Sequence, residues 1–184
     1  MGIDKAFLNF GGRTLLERAT GLMRNVCAEV GIVGDATKFA KYGDVIEDVY
    51  PGCGPLAGIH AALLRSSAES NLMLAVDMPF VTRELLEFFF VTANESEATV
   101  VVPRMAAGFQ PLCAVYRRDF GAAAEGALRA GKYKIDQLFP SVTLRVIDED
   151  ELTRAGFSEQ MFFNVNTADD LRTAQRSSSF PIGS

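Results

Sequence analysis

Asp77 is the residue of this 184-residue chain best suited to chemistry: the apolar run Leu72-Met73-Leu74-Ala75-Val76 stops at it, and Met78-Pro79 turns the chain away. In open α/β sheets ligands bind outside the carboxyl ends of the strands, so a carboxylate there faces ligand rather than core. One carboxylate together with substrate phosphates is a common way to hold Mg²⁺. The competing role is to cap the next helix, and Thr82 is better placed for that. Lys5 follows Gly2 and Asp4, with Gly11-Gly12 close behind. Its compact ammonium suits a phosphate clamp, and a solvated surface lysine is the alternative. Gly52, Gly54 and Gly58 surround Pro55 at the start of a helix. Such glycines admit a ligand close to backbone, or serve an ordinary tight turn. Asn164 and Asn166 alternate about Val165, so in an extended segment both amides share one face. Amides offer donors and acceptors to a polar ring; turn and cap duty ahead of Thr167 is the alternative.

Other reactive side chains read as packing. His60 is the single histidine and lies in an apolar helix. A Cys53–His60 nucleophilic pair lacks a third group to orient it. Cys27 and Cys113 read as small buried hydrophobes, and Phe88-Phe89-Phe90 as a packed helix face. The chain contains neither a Walker A sequence nor G-x-G-x-x-G.

The elements that must position these residues follow from periodicity. Thr14-Leu15-Leu16-Glu17 is a capping-box pattern that opens a helix over 14–25. Val30–Val33 and Val45–Asp48 read as strands, and Leu56–Leu64 as a well-buried helix. The run 72–76 suits a central parallel strand covered on both faces. Thr82 caps a helix to about Val91; Thr99–Val102 is a strand stopped by Pro103; Leu112–Tyr116 is another. A helix over 118–130 ends at Gly131, Val142, Leu144 and Val146 alternate as in a half-buried strand, and Thr167-Ala168-Asp169-Asp170 caps a last helix to about Arg176. Strands alternating with helices predict a single α/β domain over 1–176, with a Ser-rich disordered tail at 177–184. Asp35, Asp48, Asp77 and Asn164 then fall at strand ends.

Composition narrows the function classes. With 48% hydrophobic and 22% charged residues the chain has enough apolar side chain for a core. A net charge of −5 without a basic run argues against sequence-independent nucleic-acid binding. No apolar run approaches the ~20 residues of a membrane span. The start is not a secretory signal, and Ala6 stands where a myristoylation start wants Ser or Thr. Three cysteines without a C-x-x-C spacing argue against a disulfide scaffold or zinc knuckle. The expectation is a cytoplasmic chain with reduced thiols.

Six segments taken in order carry a resemblance: Met1-Gly2-Ile3-Asp4-Lys5-Ala6, Val45-Ile46-Glu47-Asp48, Gly54-Pro55-Leu56-Ala57-Gly58-Ile59, Asp77-Met78-Pro79-Phe80, Gln110 to Tyr116, and Phe163-Asn164-Val165-Asn166-Thr167. Over residues 1 to about 176 the chain resembles the molybdenum cofactor guanylyltransferases, nucleotidyltransferases of Rossmann-like fold with a mostly parallel sheet. The resemblance implies transfer of GMP from GTP to molybdopterin carrying molybdenum, with Mg²⁺, giving molybdopterin guanine dinucleotide and pyrophosphate. It implies that Lys5 contacts the nucleotide phosphates, that Gly34 and Asp48 belong to the GTP site, that Asp77 binds GTP and Mg²⁺, and that Asn164 and Asn166 lie on the molybdopterin side. Some members have Asn at the position of Gly34. Guanine presents N–H donors, for which Asp35 or carbonyls near Gly34 are the expected acceptors. Cofactor insertion and acceptor enzymes are the implied partners, with no nucleic acid and no membrane. Family members place a strand and a Leu-Ala-Gly-Gly loop before the Met-Gly…Asp-Lys segment, so the first strand is expected to be missing here. A related transferase acting with CTP or on another phosphorylated substrate, and a shortened non-catalytic relative, are the alternative readings.

Overall fold

The computed structural model describes residues 4–167, 169, 170 and 172. A 3₁₀ turn at Lys5–Phe7 leads into a hairpin of β1 (Asn9–Phe10) and β2 (Arg13–Thr14). There follow α1 (Leu15–Arg24), β3 (Gly31–Val33), α2 (Ala36–Phe39), β4 (Asp44–Ile46), α3 (Pro55–Arg65), β5 (Ser70–Leu74) and α4 (Arg83–Asn94). Then come β6 (Val100–Met105), β7 (Gly108–Phe109), β8 (Cys113–Arg117), α5 (Phe120–Arg129), a 3₁₀ stretch Ile135–Ser141, β9 (Leu144–Asp148), α6 (Glu149–Arg154) and a 3₁₀ turn Glu159–Phe162. Among the described residues no helix is long and apolar enough to cross a membrane.

Local chemistry sets the ends of these elements. Thr14 and Glu17 form the full capping box of α1, and Thr82 accepts from the Leu85 amide at 3.4 Å to start α4. Gly131, at φ +70°, ends α5. Thr167 and Asp170 cap one another, the Asp170 amide donating to Thr167 Oγ1 at 3.0 Å. The expected continuation of that helix to 176, and the tail at 177–184, lie outside the described residues.

The main sheet has the order β5-β8-β6-β7, with β9 paired to β6. Its side chains alternate with the period of two that a pleated strand imposes. Cys113 and Val115 of β8 and Val101 of β6 pack beneath α4, against Leu85, Leu86 and Phe89. Ala114, Tyr116, Val100 and Val102 face α3 and α5. The second sheet is the parallel pair β3–β4, held by Ile32 against Ala6 and Leu16, with Val76 beside them.

The α/β Rossmann-like class is as expected; the ladders refine it. β5, β6 and β9 run in one direction, but β8 lies antiparallel between β5 and β6. The reversal follows from the short β6–β7–β8 hairpin connections, which cannot return a strand in parallel. β5 is covered on both faces, Leu72 on the α4 side and Met73 on the α3 side. It is not central among the described residues: only β8 pairs with it. Pro103 does not stop β6, because the strand needs only its carbonyl on the hairpin side, where it accepts from the Gln110 amide at 2.9 Å.

Candidate active site

Lys5 sits in the first 3₁₀ turn, whose N-cap is Asp4: its Oδ1 accepts from the Ala6 amide at 3.1 Å. Ala6 is buried beneath α1, so the turn is anchored and Lys5 is directed from a fixed base. Its ammonium donates to the Asp77 carboxylate across 72 positions of sequence. The Asp77 side chain is 11% exposed and that of Lys5 45%, so the pair opens to solvent on the lysine side.

Besides the Lys5 pair, Asp77 is fixed by two backbone ties. Its strand end is tied to β8 by the Ala75 amide donating to the Leu112 carbonyl at 2.7 Å. Its own carbonyl accepts from the Val165 amide at 2.7 Å, and Val165 is fully buried. The exposed Asn164 and Asn166 flank Val165 and are thereby brought beside Asp77. With Thr82 capping α4, the Asp77 carboxylate has no capping duty. Three segments distant in sequence therefore converge at the carboxyl end of β5.

The other expected residues gather at the ends of β3 and β4. Asp48 lies two residues past β4, with one carboxylate oxygen buried and without a hydrogen-bond partner among the described residues. Burial pushes its carboxyl above the ordinary range. The Gly34 amide donates to the Ile46 carbonyl at 3.0 Å. At φ +153°, and with a Cβ that would come within 2.8 Å of the Phe39 ring, this position offers backbone only. At Gly58 a Cβ would stand 3.0 Å from Val33 Cγ1 and 3.7 Å from Asp48 Oδ1, so the missing side chain lets α3 press against β3 and Asp48. Gly52 and Gly54 have open space and positive φ, which is turn geometry. Among the described residues no hydrogen bond or ion pair joins the Asp48 group to the Lys5–Asp77 group.

Asp35 is the cap of α2, its Oδ1 accepting from the Thr37 amide at 2.8 Å and the Thr37 hydroxyl at 2.6 Å. Arg18 was not foreseen. Its guanidinium lies 4.8 Å from the centre of the Phe10 ring and donates to the Pro79 carbonyl at 3.5 Å, while its Nε is buried without a partner among the described residues. The available signal was its place three residues after Leu15, on the apolar side of α1. His60 is buried with its ring edge-on to Tyr50, which fits the packing role read from the sequence.

The donor set bears on a metal ion. Among the described residues no three His, Cys, Asp or Glu side chains are grouped to hold one. A single rim carboxylate fits Mg²⁺, which commonly takes one or two carboxylates and completes its shell with water and substrate phosphates. The arrangement of one cation, one carboxylate and paired amides on a strand end suits transfer between phosphorylated substrates, where positioning and charge neutralisation dominate.

Comparison with known proteins agrees. The MobA-like NTP transferase domain family matches residues 1–142. A probable molybdenum cofactor guanylyltransferase from Pelotomaculum thermopropionicum is 38% identical over 178 residues, covering 95% of this chain and 85% of its own. A molybdenum cofactor guanylyltransferase from Desulfosudis oleivorans is 30% identical over 176 residues, covering 95% and 87%. The crystal structure of molybdopterin-guanine dinucleotide biosynthesis protein A from Archaeoglobus fulgidus superposes with a TM-score of 0.83 at 27% identity, covering 95% of this chain and 90% of that one. The chain belongs to the MobA-like NTP transferase domain family, among nucleotidyltransferases whose relatives carry the name molybdenum cofactor guanylyltransferase.

Proposed function

We propose that this enzyme transfers GMP from GTP to the terminal phosphate of molybdopterin bearing molybdenum. The products are molybdopterin guanine dinucleotide and pyrophosphate. The observation that carries the reading is the Lys5–Asp77 pair at the end of β5, with the Asn164–Asn166 segment hydrogen-bonded to the Asp77 backbone.

An oxygen of the acceptor phosphate forms a bond to the α-phosphorus as the bond to the β-phosphate oxygen breaks, and pyrophosphate leaves with that electron pair. No protein nucleophile is required. Lys5, half exposed on a fixed turn, neutralises phosphate charge as it shifts toward the leaving group. Asp77, joined to the acceptor-side segment through its own backbone, keeps the reacting ends in register. Asp77 is the residue that would hold Mg²⁺, which when bound withdraws charge from the phosphate oxygens. Asn164 and Asn166 present amides to the pterin substrate, and Asp48 and the Gly34 backbone serve the nucleotide.

The test is pyrophosphate release from GTP in the presence of Mg²⁺ and molybdopterin, with CTP and ATP in parallel. Release that needs both Mg²⁺ and the acceptor and favours GTP by roughly tenfold or more supports the reading. A preference for CTP, or no release with an intact fold, overturns it.

A further inference from the structure

Helix α1 meets the three segments that come together at Asp77. Leu16 packs with Ala6, the neighbour of Lys5. Leu15 joins Phe10, Leu8, Phe80 and Val165 in a small apolar cluster. Phe10 follows the Lys5 turn, Phe80 follows the Asp77 turn, and Val165 lies between Asn164 and Asn166. The cluster is thin: only Phe10, Leu15 and Val165 are buried in it, and Phe10 meets Phe80 edge-on at 5.5 Å. The Asp77 turn is also lightly held by its own backbone. The Met78 amide donates to the Ala75 carbonyl and the Val81 amide to the Met78 carbonyl, both at 3.4 Å, which is long for such bonds. Pro79 has no amide to give, and among the described residues no backbone amide donates to its carbonyl.

The donor to that carbonyl is Arg18, at 3.5 Å, and the same guanidinium lies 4.8 Å from the centre of the Phe10 ring. A planar guanidinium can pack on a ring and donate to an oxygen at once, which an ammonium or an apolar side chain cannot do. Arg18 therefore touches both the hairpin that continues from Lys5 and the turn that continues from Asp77. It forms no ion pair among the described residues, and its Nε is buried without a partner among them. Burying that N–H unpaired works against the fold, so stability alone does not account for the group's place. We propose that Arg18 is a positioning residue: by bridging the Phe10 ring and the Pro79 carbonyl it fixes the Asp77 turn against the Lys5 turn. It acts through Asp77 and touches no substrate. Its effect on the reaction rests on the transferase reading, whereas its effect on the turn does not.

The test compares the parent with Arg18→Met, which keeps an apolar stem on Phe10 and removes the guanidinium. Three quantities are read: the thermal melt, amide hydrogen exchange by mass spectrometry, and pyrophosphate release from Mg²⁺·GTP with molybdopterin. The melting temperature should stay within about 2 °C of the parent. Exchange over residues 75–82 should quicken by about fivefold or more while residues 113–117 of β8 exchange as before. The kcat should fall by about tenfold, with the KM for GTP within about twofold of the parent. Arg18→Lys returns a donor for the Pro79 carbonyl and should fall between the two in exchange and in kcat. Arg18→Ala decides by the same measures if Arg18→Met does not fold, and failure of both to fold overturns the proposal, since Arg18 would then serve the fold. Exchange over 75–82 like that of the parent overturns it, whatever the kcat. So does faster exchange throughout the chain, faster local exchange with kcat unchanged, or a lysine variant no better than the methionine one. If the parent itself releases no pyrophosphate, the transferase reading fails and the exchange over 75–82 alone decides the bridge.

Discussion

The two parallel-strand regions of this molecule are built on different amounts of burial. In the main sheet, Val100, Val101 and Val102 of β6 and Cys113 to Tyr116 of β8 are at most 1% exposed, and helices cover both faces. In the β3–β4 pair only Ile32 is buried, and Val33 is 39% exposed. The candidate site residues divide between them. Asp77 and the Asn164–Asn166 segment hang on the well-packed sheet, while Gly34 and Asp48 hang on the lightly packed pair. In the proposed reaction the rigid platform would hold the reacting end, and the region with less burial, where opening costs little, would take the nucleotide.

The contrast is tested first by truncation. Phe89→Ala should cost about 3–5 kcal/mol, because the ring is fully buried between α4 and the main sheet. Ile32→Ala should cost about 2 kcal/mol, the low end for an aliphatic deletion, because its surroundings are shallower. Denaturant melts of both variants give the comparison, and equal losses would erase the distinction. Gly34→Ala comes next: a positive φ and the nearby Phe39 ring predict a loss of about 1–3 kcal/mol together with weaker GTP binding. A variant as stable as the parent would show that the β3 end relaxes freely.

The smallest effect has the opposite sign. Burial disfavours the charge on Asp48 and raises its carboxyl pKa in the folded state above the ordinary aspartate value. The native state therefore holds the proton more tightly than the unfolded chain. That contribution to stability is full in acid below the unfolded value and is lost as pH rises through the native one. At pH 7 the ionised Asp48 is a liability, so Asp48→Asn should leave the melting temperature equal or raise it by on the order of 2 °C, and the gain should vanish in acid. GTP affinity should fall. A neutral-pH loss of stability would mean that the buried carboxylate oxygen has a native partner.

Much of this division was legible from local signals. The capping box at Thr14, the apolar run ending at Asp77 and the alternation about Val165 each set a structure on their own. What was not legible depends on distant pairing. The insertion of β8 between β5 and β6 is decided by which edges meet, and the short Gly108-Phe109 strand has no periodicity to read. The engagement of Asp35 with Thr37 is local and was readable as an Asp-x-Thr cap, but strand-end position alone suggested a ligand role. The contacts of Arg18 arise only when segments far apart in sequence close on one another.

The central claim is that Asp77 serves the reaction and not the fold. Asp77→Ala removes a rim carboxylate whose backbone contacts to Val165 remain available. Pyrophosphate release from Mg²⁺·GTP with molybdopterin, measured alongside a thermal melt, should fall by about 10²–10³-fold while the melting temperature stays near that of the parent. Activity within a factor of two of the parent would contradict the account.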